Sequence, residues 1–136
     1  MDFEAKIAEL GLLIPKPAKP AGSYKPCVIV DNIAYISGQG PLLEDGSFAK
    51  GKVGADIDLE TAQNHARLCG LAILSALKNE IGSINKVDQL IKLTGFVNCI
   101  ESFTQQPLVI NGCSNMMKDI FGETGVHARA AVGVNS

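Results

Sequence analysis

The residues with the chemistry to build a site are few, and they are scattered along the chain. Near its end, Gly125-Val-His-Ala-Arg-Ala-Ala-Val-Gly-Val-Asn135 reads as a buried strand of small and β-branched residues that carries one permanent cation, Arg129. A guanidinium stays charged at any working pH, so a half-buried one needs an anion or several carbonyl oxygens. Its planar fork fits a carboxylate or a phosphate through two parallel hydrogen bonds. Two other arrangements would serve the same residue: a carboxylate elsewhere in the chain, or an apolar stem that packs while the head reaches water. Tyr24 presents a phenol at the end of the flexible turn Ala21-Gly-Ser-Tyr24. In Ser37-Gly-Gln-Gly-Pro41, Ser37 and Gly38 open a stretch small enough for a backbone to approach a ligand or a neighbouring chain, with a plain β-turn as the alternative.

The thiols and imidazoles do not extend this set. Cys27, Cys69, Cys99 and Cys113 lie far apart, with no C-x-x-C and no histidine pair nearby, so neither a zinc site nor a catalytic cysteine is expected. Their apolar or small neighbours suit reduced, buried thiols and point to a cytoplasmic setting. His65 falls in a helical pattern beside Arg67, off its apolar stripe, and His127 falls in the final strand. Nothing in the sequence links either histidine to a thiol. No metal and no cofactor are expected.

Bulk composition narrows the classes further. A chain of 136 residues with 46% hydrophobic and 19% charged content can bury a real core as one globular domain. Net charge is −2, Trp is absent, and Phe and Tyr number only five and two. Nucleic-acid binders usually show a basic footprint and stacking aromatics, so nucleic acid is not the expected partner. The longest apolar run, around Leu71-Ala-Ile-Leu74, is too short for a bilayer, so no membrane association is expected. Met1-Asp-Phe-Glu-Ala-Lys lacks the apolar core of a signal peptide.

The elements that must hold these residues can be read in order. Asp2 to Leu10 has Phe3, Ile7 and Leu10 on one side and Glu4, Lys6 and Glu9 on the other, the pattern of a short amphipathic helix closed by Gly11. Four prolines between Leu13 and Pro26 exclude regular structure there and predict an extended arm over the domain. Cys27–Val30 and Ile33–Ser37 are β-rich runs joined by Asp31-Asn32, two residues that tolerate positive φ and so predict a hairpin. Glu44-Asp-Gly46 predicts a turn, with an edge strand near Phe48.

Asp58 can cap a long helix whose stripe is Ala62, Ala66, Cys69, Ile73 and Leu77, stopped by Gly82-Ser83. Val87–Val97 is nearly continuous in apolar character and predicts a strand buried on both faces. A second helix is expected to start near Glu101–Thr104, with Pro107 in its first turn, and to run to Phe121 before Gly122. The order predicts an α+β domain of two layers, with two main helices on one face of a mixed β-sheet. The strand bearing Arg129 lacks an obvious neighbour on one side. A partner subunit or a further strand beyond Ser136, bearing an acidic residue, is expected to cover that edge.

Taken together, Gly22-Ser-Tyr24, Tyr35-Ile-Ser-Gly-Gln39, the helix from Asp58, Thr94-Gly-Phe-Val97 and above all Ala128-Arg-Ala-Ala-Val132 resemble the Rid family of reactive-intermediate deaminases. That family is also labelled YjgF/YER057c/UK114 or endoribonuclease L-PSP. The resemblance covers residues 22–136, and residues 1–21 look like an N-terminal addition found in a subgroup. It implies a fold like the Bacillus-type chorismate mutase, assembled as a homotrimer with ligand clefts between subunits. It also implies hydrolysis of 2-imino or enamine acids to 2-oxo acids and ammonia. Arg129 would then clamp a small carboxylate, Tyr24 would line the cleft, and Ser37 with the Gly38 backbone would form its floor. The family's cleft asparagine has two candidate counterparts, Asn111 and Ser114. Archetypal members place a cysteine two residues beyond the arginine, where this chain has Ala131, and a glutamate on the closing strand. The resemblance therefore leaves a non-catalytic carboxylate-binding trimer as the alternative, and a ribonuclease, as the older label implies, behind it. The catalytic residues are not assigned.

Overall fold

A computed structural model describes residues Met1–Ser136. Three helices, α1 (Phe3–Glu9), α2 (Leu59–Ile81) and α3 (Gln106–Phe121), alternate with four strands. The strands are β1 (Cys27–Val30), β2 (Ile33–Ile36), β3 (Lys92–Asn98) and β4 (Ala128–Val134). The hairpin forms where Asp31 and Asn32 adopt φ of 50° and 62°, so β1 and β2 pair antiparallel with Val28 opposite Tyr35 and Val30 opposite Ile33. β3 and β4 pair in parallel, with Leu93 opposite Arg129 and Phe96 opposite Val132. Antiparallel and parallel pairing are thus both present, as a mixed sheet requires, but they sit in two separate two-stranded ribbons.

Each helix is stopped and started by the residues whose chemistry fits the position. The Asp58 carboxylate accepts from Thr61 N at 2.8 Å, and Gly82, at φ 89°, closes α2. Pro107 occupies the first turn of α3, where its missing N–H costs nothing, and Gly122 ends that helix. α3 lies directly on α2, and two glycines permit the approach. A Cβ on Gly112 would stand 2.0 Å from the Gln63 carbonyl oxygen, and one on Gly70 would stand 2.7 Å from the Met116 methyl. Twenty buried residues form a single core, from Phe3 and Ile7 of α1 through Ala62, Ala66, Leu74 and Leu77 of α2 to Met116, Met117, Ile120 and Phe121 of α3. Cys69 and Ile73, expected on the α2 stripe, are half-buried at its border.

The strand before α3 begins at Lys92 rather than Val87, because Ile84–Lys86 forms a 3-10 turn and Leu90 N bonds to Thr124 O instead of to a strand neighbour. Burial on both of its faces does not hold within one chain. Leu93, Gly95 and Val97 point to the helices, whereas Phe96 on the opposite face is 68% exposed beside exposed Val132. Continuous apolar character here reflects a covered face and an uncovered one, not two helical layers.

The N-terminal segment is fastened to the domain at several points. Phe3 meets Phe121 edge-on, with ring centroids 4.8 Å apart. Further on, Ser75 Oγ donates to Pro15 O at 2.6 Å, which ties the proline arm to α2. Glu4 accepts from Lys78 Nζ and from Ser83 Oγ, the latter at 2.6 Å. Lys78 first, and Ser83 after it, hold the Glu4 carboxyl below its ordinary value of 4.5. A depressed carboxylate stabilises the fold above its unfolded pKa, and that contribution is lost as pH falls through the lower folded value. The thermal stability of the wild type should therefore fall as pH drops below 4.5, and Glu4→Gln should flatten that part of the curve. Parallel curves for the two proteins would mean the clasp adds nothing.

Candidate functional site

β4 places Arg129, Ala131 and Gly133 on its helix-facing side. There Gly133 lies against Gln106 and Cys99, and Ala131 packs on the core. Arg129 is the first of the three, opposite Leu93, so its side chain runs out along α3 instead of into the core. Nη1 donates to Asn111 Oδ1 at 2.7 Å and to Ser114 Oγ at 3.2 Å, and Nη2 donates to the Pro107 carbonyl at 3.2 Å. Asn111 and Ser114 can both face the strand because they are three positions apart on one helix. The Pro107 carbonyl belongs to the same helical face one turn earlier.

No carboxylate of the chain pairs with Arg129; the two ion pairs present join Lys6 to Glu9 and Lys78 to Glu4. Three of the five guanidinium hydrogens are engaged, which leaves Nε–H and one Nη2–H without a partner. Nε and Nη2 form one of the two edges on which a guanidinium grips a carboxylate through parallel bonds. The head is thus fixed by α3 and keeps two donors, Nε–H and one Nη2–H, for a ligand.

His127 completes the network. Its Nδ1 lies 2.7 Å from the Gly125 carbonyl, which can only accept, so Nδ1 carries the proton in the neutral ring. Nε2 is then an acceptor, and Ser114 Oγ, 2.9 Å away, donates to it. Ser114 therefore gives its hydroxyl proton to His127 while it accepts from Arg129. Nothing in the order of residues joins His127 to Ser114. The signal is only a histidine two residues before the arginine, and its partner appears once β4 lies on α3.

These groups line a cleft of about 210 Å³ between α3 and the start of β4, bordered also by Asn115, Lys118, Gly125 and Val126. Two cations, Arg129 and Lys118, face it, and no carboxylate does. Such a cleft favours a small anion. A larger concavity of about 400 Å³ at the start of α2 contains Asp56 and Asp58. Both already serve local turns, accepting from Lys52 N and Thr61 N.

Of the expected site residues, Arg129, Asn111 and Ser114 come together, and both candidates for the cleft asparagine touch the guanidinium. Tyr24, Ser37 and Gly38 do not reach that cleft within one chain. Ser37 Oγ donates to Lys25 O at 2.6 Å beside the β1–β2 ribbon, and the Tyr24 hydroxyl accepts from Ala21 N at 3.2 Å. The thiols stand apart from the chemistry. Burial pushes Cys69 up to about 11 and Cys113 up to about 12, so neither is a thiolate at neutral pH.

The fold agrees with that of a known group of proteins. The family described as "YjgF/chorismate_mutase-like, putative endoribonuclease" matches residues 4–135, and the chain belongs to that family. Protein TCP17 of Trypanosoma cruzi is 37% identical over 131 residues, which covers 96% of this chain and 82% of that protein. A crystal structure of Atu1372 from Agrobacterium tumefaciens, described as of unknown function, is 43% identical with a TM-score of 0.88; the match covers 98% of this chain and 82% of that one. A structure from Shewanella oneidensis, described as a putative endoribonuclease, has a TM-score of 0.94 at 30% identity and covers 98% and 89%. The chorismate-mutase-like α+β fold expected from the sequence is the fold observed. No helix is long and apolar enough to cross a membrane.

Proposed function

We propose that the protein binds small 2-imino acids by their carboxylate and hydrolyses them to 2-oxo acids and ammonia. The observation that carries this reading is the pair of uncommitted Arg129 donors, Nε–H and one Nη2–H, in a cleft with two cations and no acid. A substrate carboxylate on those donors would hold the imine carbon near the α3 side chains. An imine is already electrophilic, so orientation and one placed water supply much of what the reaction needs. Water adds to the protonated C=N carbon, a proton moves to nitrogen, and ammonia departs as the carbonyl forms.

The same reading places three chains around shared clefts. Exposed Phe96 and Val132 give the β3–β4 ribbon an apolar outer face suited to a neighbour, and a second chain would bring Tyr24, Ser37 and Gly38 toward Arg129. Residues 22–136 would form the trimeric body, with residues 1–21 packed on it through Phe3 and Ile7.

The test mixes the protein with a 2-imino acid released in situ by an amino-acid dehydratase and follows 2-oxo acid formation against spontaneous hydrolysis. Acceleration that is lost in Arg129→Ala supports the enzyme. Tight binding of the 2-oxo acid with no acceleration would instead leave a carboxylate-binding protein. Light scattering on the same sample should give three chains; a stable monomer at micromolar concentration would remove the shared cleft. An endoribonuclease is the second reading, favoured by the family description and by the guanidinium's equal fit to phosphate. Cleavage of RNA that depends on Arg129 would establish it.

A further inference from the structure

Ser114 helps to hold Arg129, but its bond to His127 is not needed for that grip and has a geometry with a use of its own. Ser114 Oγ lies 2.9 Å from His127 Nε2, and His127 Nδ1 is fixed 2.7 Å from the Gly125 carbonyl. A base within hydrogen-bond reach of a hydroxyl, itself oriented by a third group, is the arrangement that activates a serine nucleophile. Here a backbone carbonyl takes the orienting place that a carboxylate often fills. We infer that Ser114 is a nucleophile with His127 as its base, which gives the α3–β4 cleft an acyl-transfer activity toward small esters that carry a carboxylate.

Three further observations fit. Both side chains are half-buried and both line the 210 Å³ cleft, so the pair faces space a ligand can enter. The Ser114 oxygen donates one bond and accepts one from Arg129 Nη1 at 3.2 Å, which leaves a second lone pair for attack. A guanidinium at that distance stabilises negative charge on the oxygen as the proton leaves. Lys118 lies one turn beyond Ser114 on α3, and the Asn111 amide nitrogen, whose oxygen is held by Arg129, lies one turn before it. Both are donors that line the same cleft as Ser114, the side on which an oxyanion would form.

The step balances with water as its only co-reactant. The Ser114 oxygen attacks the acyl carbon as its proton passes to His127 Nε2. The tetrahedral oxyanion collapses, the ester C–O bond breaks, and the leaving alcohol takes the proton from His127. Water, deprotonated by His127, then releases the acid and restores Ser114. Only the choice of an anionic substrate rests on the carboxylate reading of Arg129; the nucleophile does not.

A fluorophosphonate probe tests the nucleophile without any substrate and without reference to imine turnover. Intact mass after incubation should show one adduct per chain, and peptide mapping should place it on Ser114. His127→Gln should slow labelling at least hundredfold, and Ser114→Ala should abolish it. Because the adduct is mapped in the wild type, the result does not depend on either variant folding. No adduct above that of unfolded protein, or an adduct elsewhere, overturns the proposal. A second arm compares the mono-p-nitrophenyl ester of succinic acid with neutral p-nitrophenyl acetate. The anionic ester should be preferred at least tenfold, and Arg129→Gln should remove the preference. Labelling at Ser114 with no such preference would overturn the substrate class.

Discussion

Arg129→Lys should weaken binding of a small 2-oxo acid by about tenfold or more, and Arg129→Ala should weaken it further. Charged hydrogen bonds contribute on the order of 1.5–3 kcal/mol, which is one to two decades in Kd. Lysine keeps the charge but offers a single head. It cannot satisfy Asn111, Ser114 and the Pro107 carbonyl on one side and a carboxylate on the other, as the guanidinium can. Calorimetry of the three proteins with 2-oxobutyrate, run beside a sizing column, measures this. If both variants bind as the wild type does, Arg129 only joins β4 to α3. If Arg129→Ala loses its oligomeric state, the residue serves an interface.

Gly112→Ala should be the most damaging single methyl in the chain. Alanine favours a helix over glycine by about 1 kcal/mol, and on an open surface it would stabilise α3. Here the new carbon would stand 2.0 Å from the Gln63 carbonyl oxygen, and the obstacle is backbone that no rotamer change can move. The helices must separate, and overpacking of this kind costs about 1–3 kcal/mol and occasionally more. The clash wins because relief requires moving α3 as a body. The net loss should be about 2 kcal/mol, which lowers Tm by roughly 6–10 °C in a domain of this size. Gly112 also lies between Asn111 and Ser114, so the same change should loosen the grip on Arg129. An unchanged Tm would mean that α2 and α3 are not in such close contact.

Local chemistry made much of this fold legible from sequence. Asp31-Asn32 specified the hairpin because few residues accept positive φ twice in a row. Asp58 and Gly82 bounded α2, and Pro107 and Gly122 bounded α3, because caps act within a few residues of themselves. Arg129 was legible because a permanent charge in an apolar strand demands partners. What stayed hidden depends on contacts between elements. Ser114 and His127 meet only after β4 docks on α3, and neither residue type signals that from its neighbours. The open face at Phe96 was hidden for the opposite reason, since an apolar strand reads alike whether its second face is covered by its own chain or left bare. Tyr24, Ser37 and Gly38 stood out as a phenol and a small-residue stretch and took a cleft role only through resemblance, and within one chain they lie beside the other ribbon.

Every group that orients Arg129 or Ser114 belongs to one contiguous β3–α3–β4 unit. This makes the anchor modular. Substitutions in the proline arm, in the β1–β2 ribbon or in the loop before α2 can reshape whatever surrounds a ligand without disturbing the guanidinium. On the carboxylate-binding reading proposed above, changes outside this unit would exchange one small acid for another while the grip on the acid group stays fixed. A chimera that carries only Lys92–Val134 of this chain in a relative's framework should inherit the anion affinity of the donor and the side-chain preference of the host.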